Sequence, residues 1–276
     1  MPVIHSVNDL NDPRVAEYHG VPDPELLRER GLFVAEGRLV VRRLLEDGSY
    51  RTRSLLVTEA ARASLADVLG RAMAELPIYV VSLDTMRAIT GFSIHRGCLA
   101  LVERNAPIET GVLVARLSAA RLLVVLEEVA NADNVGGVFR NALAFGAAAV
   151  LLSPGCCDPL YRKAIRTSMA ASLRVPFARV GDWPRGLDGI RAAGFSLVAL
   201  TPAAGARDLG DFASDPRRPS RLALMAGAEG PGLSAPIEAM ADARVRIPMA
   251  PGVDSLNLAT ATGIALYRLG EGTRNE

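Results

Sequence analysis

The sequence is poor in the residue types that most often carry catalysis or metal binding. It has three cysteines and three histidines in 276 residues, and Lys163 is the single lysine beside thirty arginines. Three cysteines at this spacing exclude a disulfide framework and a zinc site, and one lysine leaves little scope for Schiff-base chemistry. All three histidines precede residue 100, which excludes a Ser-His-Asp or Cys-His site in the second half of the chain.

Segments for secretion or membrane insertion are also missing. The N-terminus has no basic region followed by an apolar run, so we expect no signal peptide. The longest weakly polar stretch, 142–157, is interrupted at Ser153-Pro154-Gly155 and is shorter than the roughly 18 residues of a membrane-spanning helix. A formal net charge of +1 gives no global basic field. We expect a cytoplasmic protein without a membrane or DNA partner.

The common nucleotide-binding motifs are absent as well. No Gly-x-x-x-x-Gly-Lys-Ser/Thr loop occurs, because the lysine follows Arg162, and no Gly-x-Gly-x-x-Gly turn follows a predicted strand. These absences exclude a P-loop and count against the dinucleotide-binding fold and the common methyltransferase fold. No carboxylate cluster stands out that would hold a metal ion, so none is expected.

What is present is the pattern of an α/β protein. Half of the residues are hydrophobic and 22% are charged, which is typical of a globular chain with a large core. Residues 1–105 are expected to form a small αβ domain, 106–118 a linker and 119–276 an α/β domain. The uniformly apolar strand at 121–129 predicts a parallel sheet.

Apolar periodicity also predicts the individual elements. The predicted strands are 32–37, 53–58, 76–82, 97–104, 121–129, 147–153, 175–180, 195–201, 221–227 and 243–249. The predicted helices are 38–48, 59–74, 83–90, 135–145, 160–171, 184–193, 234–240 and 255–269.

Three glycine- and asparagine-rich junctions follow predicted strands of the second domain. They run over 131–141, 227–234 and 252–258. Their Asn, Asp and Ser residues can cap the helices that follow, and their glycines let another group approach the backbone. Ser255 is predicted to cap the final helix, with Asn257 inside its first turn. Taken singly, each junction is as typical of a capped helix or a surface turn as of a site.

The side chains around these junctions indicate what a site there would bind. Ile247, Met249 and Leu256 can wall a pocket for a flat purine, whose edge backbone groups would read. Glu229 would be costly to bury without a partner, and Arg140 is the candidate partner.

Together and in this order, the junctions resemble the three motifs of the SpoU (TrmH-type) 2′-O-ribose RNA methyltransferases of the SPOUT superfamily. The likeness covers about 121–269, and the first domain resembles a ribosomal-protein-like substrate-binding module, best at the FVAEG strand (33–37). Motif one departs from the family pattern twice. Gly137 stands where Ala is usual and Asn141 where Thr or Ser is common. The final helix is also looser than the family's usual version.

The resemblance implies a deep trefoil knot in the C-terminal part of the second domain and an S-adenosylmethionine site formed at a homodimer interface. It implies methylation of a ribose 2′-hydroxyl in RNA, with ribosomal RNA favoured over transfer RNA. Two alternatives stay open, a transfer-RNA ribose methyltransferase and a catalytically inactive RNA-binding ribosome-assembly protein. A small-molecule enzyme is disfavoured by the first domain.

The resemblance also assigns residues by position. The expected catalytic set is Asn134, Arg140, Glu229, Ser255 and Asn257. The expected cofactor-binding set is Gly227, Ile247 and Leu256, with Thr201, Met249 and Leu258 nearby. Arg140 would activate or polarise the hydroxyl and clamp a phosphate, oriented by Glu229, because a free guanidinium is protonated at neutral pH. RNA contacts are expected from local arginine patches, namely Arg42-Arg43, Arg51-Arg53 and Arg162-Arg166.

Overall fold

The computed structural model describes residues 3–20, 22–70, 75–91 and 97–270. Its contacts divide the chain into two compact units. Unit 1 comprises Met1–Ala106 and Leu160–Leu173, and unit 2 comprises Pro107–Pro159 and Arg174–Glu276. A short segment from the second half of the sequence thus belongs to the first unit.

Unit 1 is built on a mixed five-stranded sheet. Its strands are β1 (Val3–Ser6), β2 (Leu32–Glu36), β3 (Thr52–Val57), β4 (Pro77–Val80) and β5 (Cys98–Glu103). In the order β1-β4-β3-β5-β2, β4 runs parallel to β1 and β3, and β5 runs antiparallel to β3 and β2. The four strands predicted for this region are confirmed as β2 to β5, and β1 was missed.

The helices of unit 1 lie between the strands of this sheet along the chain. They are α1 (Asp23–Glu29), α2 (Arg38–Asp47), α3 (Glu59–Ser64), α4 (Ala66–Leu69) and α5 (Leu83–Thr90), with a 3₁₀ helix at Pro13–Tyr18. The prediction of one helix over 59–74 is wrong, because the chain breaks at Leu65. There the Ser64 hydroxyl donates to the Ala61 carbonyl oxygen at 2.8 Å, which competes with the helical pattern. Residues 71–74 lie outside the described residues.

Unit 2 is built on a seven-stranded sheet in which every pair of strands is parallel. Its strands are β6 (Leu122–Glu127), β7 (Val150–Leu152), β8 (Phe177–Arg179), β9 (Ser196–Leu200), β10 (Arg207–Asp208), β11 (Leu222–Gly227) and β12 (Ala243–Arg246). Their order is β10-β12-β9-β11-β6-β7-β8. The predicted α/β class and parallel sheet are confirmed. The central strands β6 and β11 are buried throughout, as expected for strands that are apolar except for Glu127 at the end of β6.

The remaining helices lie before, between and after these strands in the sequence. They are α6 (Thr110–Arg116), α7 (Ala132–Phe145), α8 (Arg162–Thr167), α9 (Leu187–Ala192), α10 (Leu209–Ser214), α11 (Ala235–Met240) and α12 (Leu258–Leu269), with a 3₁₀ helix at Ala171–Leu173. Of these, α8 and the 3₁₀ helix belong to unit 1. Within the described residues, none of the helices has the length and apolar character needed to cross a bilayer.

One face of the parallel sheet carries much of the core of unit 2. Alternate residues of β6, β7, β9 and β11 pack there against α6, α9 and α11. Helix α6 lies inside the segment 106–118 that the sequence predicted as a linker, and its Leu113 and Val114 are buried in this core. Helices α7 and α12 pack against each other, and α12 also contacts β11. The three glycine- and asparagine-rich junctions lead into α7, α11 and α12.

Candidate functional site

Unit 2 contains a cavity of about 400 Å³ beside the carboxyl ends of β9 and β11. This volume is within the range of about 300–1,000 Å³ that is typical of small-molecule sites. The structure brings together around it all six residues that were expected to bind a cofactor, namely Thr201, Gly227, Ile247, Met249, Leu256 and Leu258. Three of the five expected catalytic residues also line it, namely Glu229, Ser255 and Asn257.

A tightly folded glycine loop forms one wall of this cavity. After β11, Ala228 pairs with Gly232 as an isolated bridge, and the Gly232 amide donates to the Ala228 carbonyl oxygen at 3.0 Å. Gly230 and Gly232 have φ angles of +90° and +71°, a region that favours glycine. A Cβ at Gly227 would overlap the backbone of Gly232. Gly227 is therefore required for the loop to fold back, and the group that approaches its backbone is the loop itself.

A buried carboxylate fixes the other end of the glycine loop. Glu127 ends β6, directly beside Gly227 in the sheet register, and is 5% exposed. It accepts hydrogen bonds from the amide and the hydroxyl of Ser234, both at 2.7 Å, and one from the indole of Trp183 at 3.4 Å. Sequence reasoning missed Glu127, because nothing in the chain signals that Ser234 lies against it.

The first junction begins α7 earlier than predicted. The side chain of Asn131 accepts a hydrogen bond from the Asp133 amide at 2.8 Å and caps the helix, so the helix starts at Ala132 rather than at 135. Asn134 consequently lies inside the first turn, where it is buried. At the other end, Gly146 in the left-handed conformation stops the helix.

Asn134, Glu229 and Asn257 form one hydrogen-bonded cluster at the edge of the cavity. The Asn257 amide nitrogen donates to Asn134 Oδ1 at 2.9 Å and to Glu229 Oε1 at 2.7 Å. The backbone amide of Leu258 donates to the same Glu229 oxygen at 3.3 Å. Hydrogen bonds from Asn134, Leu258 and Asn257 hold the pKa of Glu229 below its usual value, because each stabilises the carboxylate. Glu229 is therefore an anion that accepts hydrogen bonds at neutral pH.

Arg140 stands apart from this cluster. It is exposed near the middle of α7 and has no hydrogen bond or ion pair with any residue that the structure describes. The expectation that Glu229 orients Arg140 is not met in this chain, since Glu229 is engaged by Asn134, Asn257 and Leu258. Glu229 is also exposed, so burial does not require a cation beside it.

The predicted start of the final helix is wrong as well. Asn257, not Ser255, caps α12, and its Oδ1 accepts a hydrogen bond from the Thr260 amide at 3.2 Å. Ser255 is exposed in the segment before the helix. One lining residue that sequence reasoning missed, Ala261, follows Leu258 by three residues. The helical period would have placed the two on one face.

The predicted arginine patches are mostly engaged with carboxylates or carbonyl oxygens inside unit 1. Arg162 and Arg166 lie 3.4 and 3.1 Å from Glu36, and Arg43 donates to the Met169 carbonyl oxygen at 2.6 Å. Arg42 pairs with Asp67 at 2.6 Å. The other pair, the exposed Arg51 and Arg53, lies 3.4 and 4.0 Å from the half-buried Glu103.

Comparison with known proteins identifies what the chain is similar to. A family model described as the SpoU rRNA methylase family matches residues 121–267. An uncharacterized tRNA/rRNA methyltransferase of Mycobacterium tuberculosis is 40% identical over 268 residues, which cover 96% of this chain and 91% of the relative.

Solved structures give the same result. The crystal structure of an AdoMet-bound rRNA methyltransferase from Sinorhizobium meliloti superposes with a TM-score of 0.80 at 25% identity and covers 99% of both chains. That of an RNA 2′-O ribose methyltransferase superposes with a TM-score of 0.74 at 25% identity and covers 98% of both chains.

Proposed function

Because the chain belongs to the SpoU rRNA methylase family, we propose that it is an S-adenosylmethionine-dependent RNA methyltransferase that methylates a ribose 2′-hydroxyl, with ribosomal RNA as its substrate. The observation that carries this proposal is that the second and third junctions line one cavity and the first junction reaches its edge through Asn134, in the Asn134–Glu229–Asn257 cluster.

The residues around the cavity fit S-adenosylmethionine. Ile247, Met249 and Leu256 offer apolar surface to a purine ring, and the loop from Ala228 to Gly232 lines the cavity with backbone at Gly230 and Gly232, where an added Cβ would meet nothing within 4 Å. Such a combination of apolar walls and a few polar groups is typical of small-molecule sites. When bound, the cofactor supplies a sulfonium methyl group to the attacking hydroxyl oxygen.

The protein's own task is to prepare the hydroxyl, which is a poor nucleophile unless it is deprotonated or polarised. Glu229 is poorly suited to act as the base, because its pKa is lowered and an efficient base has a pKa near the working pH. Arg140, exposed and without a partner in the described residues, is available to donate to the ribose oxygen and to an adjacent phosphate. Asn134 and Asn257 hold Glu229 and the cavity wall in place.

The intact site disfavours the alternative that this chain is a catalytically inactive ribosome-assembly protein. The three residues of the cluster satisfy one another's hydrogen bonds, and Arg140 is left free for a substrate. Unit 1 would then bind the RNA, as the resemblance of its FVAEG strand implies. The trefoil knot and the homodimer also follow from the resemblance and remain part of the proposal.

The experiment is a calorimetric titration with S-adenosylmethionine, followed by transfer of labelled methyl groups to purified ribosomal and transfer RNA. We expect binding, and label on ribose of ribosomal RNA. Binding with label on transfer RNA alone would correct the substrate. Label on a base would contradict the 2′-hydroxyl. An absence of cofactor binding would contradict the enzyme and favour the assembly protein.

A further inference from the structure

Helices α7 and α12 approach each other closely at two points near the cavity. At the first, a Cβ added to Gly137 would lie 2.5 Å from the Cβ of Ala259, which is too short for two carbon atoms. At the second, the side-chain amide of Asn141 donates to the Ala259 carbonyl oxygen at 2.6 Å. The same amide fills the space beside Gly263, where a Cβ would lie 2.9 Å from its nitrogen.

The residues on the α7 side of this contact share one face with the site. Asn134, Gly137 and Asn141 are three and four residues apart, so they form one stripe along the helix. Asn134 is the residue that meets Asn257, the cap of α12. The same stripe therefore contacts α12 at its cap and in its first turn.

The first turn of α12 is itself a wall of the cavity. Leu258 and Ala261 both line it, and Asn257 belongs to the cluster with Glu229. Ala259 lies between them on the side that faces α7. A change in its separation from α7 would therefore move Leu258, Ala261 and the Asn257 amide together.

We propose that Gly137 and Asn141 are positioning residues, which set the distance between α12 and α7 and thereby the shape of the cofactor cavity and the Asn134–Asn257 contact. These are the two positions at which motif one departs from the family pattern. The proposal explains both, because the absent methyl group at Gly137 makes room for Ala259, and the longer amide of Asn141 reaches the Ala259 carbonyl oxygen. It rests on the proposed function for its binding readout.

The sharpest test adds a methyl group at Gly137 of α7, removes one at Ala259 of α12, and combines the two changes. Gly137→Ala should weaken S-adenosylmethionine binding about tenfold, since overpacking forces α12 away. Ala259→Gly should change it by no more than about threefold, and the double variant should return to within about threefold of the wild type. Gly189→Ala is the matched control, because Gly189 is an exposed helical glycine with nothing within 4 Å of an added Cβ.

A second variant tests the hydrogen bond. Asn141→Asp keeps the shape of the side chain but removes the donor, so it should weaken S-adenosylmethionine binding about tenfold. Asn105→Asp is the matched control, because the Asn105 amide also donates to a carbonyl oxygen, that of Ser49 at 3.0 Å, in unit 1. Calorimetric stoichiometry corrects each affinity for the folded fraction, so that a loss of stability alone would leave the affinity unchanged.

Hydrogen exchange at the amides of Leu258, Thr260 and Ala261 provides a readout that needs no cofactor. Gly137→Ala and Asn141→Asp should each accelerate this exchange. The double variant Gly137→Ala/Ala259→Gly should return the exchange rate to that of the wild type. If the wild type does not bind S-adenosylmethionine, the proposed function fails and exchange alone decides this inference. If the wild type binds, two results would overturn this inference and leave the proposed function standing. They are unchanged affinities in Gly137→Ala and Asn141→Asp, or no recovery of affinity in the Gly137→Ala/Ala259→Gly double variant.

Discussion

The two units hold a carboxylate at the end of a β-strand in opposite ways. In unit 1, Glu36 ends β2 and is 5% exposed, and Arg162 and Arg166 donate to it at 3.4 and 3.1 Å. In unit 2, Glu229 follows β11, is exposed, and is held by the amides of Asn134, Asn257 and Leu258.

This difference determines which arginines are available to an outside anion. Those around Glu36 are neutralised inside the protein, and burial lowers the pKa of Arg162. The carboxylate of unit 2 is satisfied without a cation, so Arg140 keeps its charge unpaired within the described residues. Because the substrate of the proposed reaction is a polyanion, an unpaired arginine on α7 is available to contact its phosphates.

The largest effect should come from removing the unpaired arginine. Arg140→Ala should slow methyl transfer about 100-fold or more, the usual cost of losing a donor that acts on charge developing in the transition state. S-adenosylmethionine affinity should stay nearly unchanged, because Arg140 does not line the cavity. Single-turnover transfer of labelled methyl groups with excess enzyme gives the rate, and calorimetry gives the affinity.

Two further variants sharpen this measurement. Arg140→Lys should also be slow, since an ammonium does not reproduce the planar fork that engages two oxygens. Arg116→Ala is the control, because Arg116 is an exposed helical arginine of unit 2 that also has no partner in the described residues. A loss in Arg116→Ala as large as in Arg140→Ala would mean that the charge acts through the general field of the protein.

A smaller effect, on stability, is expected from the paired carboxylate. Glu36→Gln should lower the free energy of unfolding by about 2 kcal/mol, since it removes a charged acceptor from two arginines in a buried position. Glu103→Gln in the same unit should cost only about 0.5 kcal/mol, because Glu103 is only half-buried and its arginine partners are exposed. Urea titration of both variants measures the difference. Equal losses would show that burial of Glu36 contributes nothing.

The smallest effect should come from Glu229. Because the pKa of Glu229 is lowered, its carboxylate accepts the hydrogen bonds of the cluster throughout the pH range above the usual carboxyl pKa. These hydrogen bonds are lost as the pH falls through the lowered pKa. Wild-type cofactor affinity should therefore be constant from about pH 6 to 9 and fall in acid. Glu229→Gln should weaken binding about threefold and abolish the acid dependence. A neutral-range inflection in the wild-type rate that this variant removes would instead identify Glu229 as a base.

The sequence was sufficient to predict the parallel sheet and most of the cavity lining. Strands such as β6 and β11 are runs of apolar residues, broken only by Glu127 at the end of β6, and such runs can be recognised from the sequence alone. The lining residues were predicted from the second and third motifs, which follow β11 and β12, whereas the first motif reaches the edge of the cavity through the hydrogen bond between Asn134 and Asn257.

The sequence could not predict which polar groups form hydrogen bonds with one another. Asn131 and Asn134 are both capable caps, as are Ser255 and Asn257, and local composition does not choose between them. The pairing of Glu127 with Ser234 and of Asn141 with Ala259 joins residues more than a hundred positions apart. The expected Arg140–Glu229 pair is likewise not formed, because the Glu229 carboxylate accepts its hydrogen bonds from neutral amides that are distant in the sequence.

The two central strands of unit 2 also constrain how this protein folds. Leu122 of β6 faces Leu222 of β11, one hundred residues later in the chain. Closing a loop of that length costs chain entropy before the paired strands bury any surface, and folding rates fall as contacts become more distant in sequence. Until β11 is synthesised, the apolar edge of β6 has no partner on that side. We therefore expect slow folding that begins late in synthesis, with a long-lived unpaired strand edge for chaperones to bind.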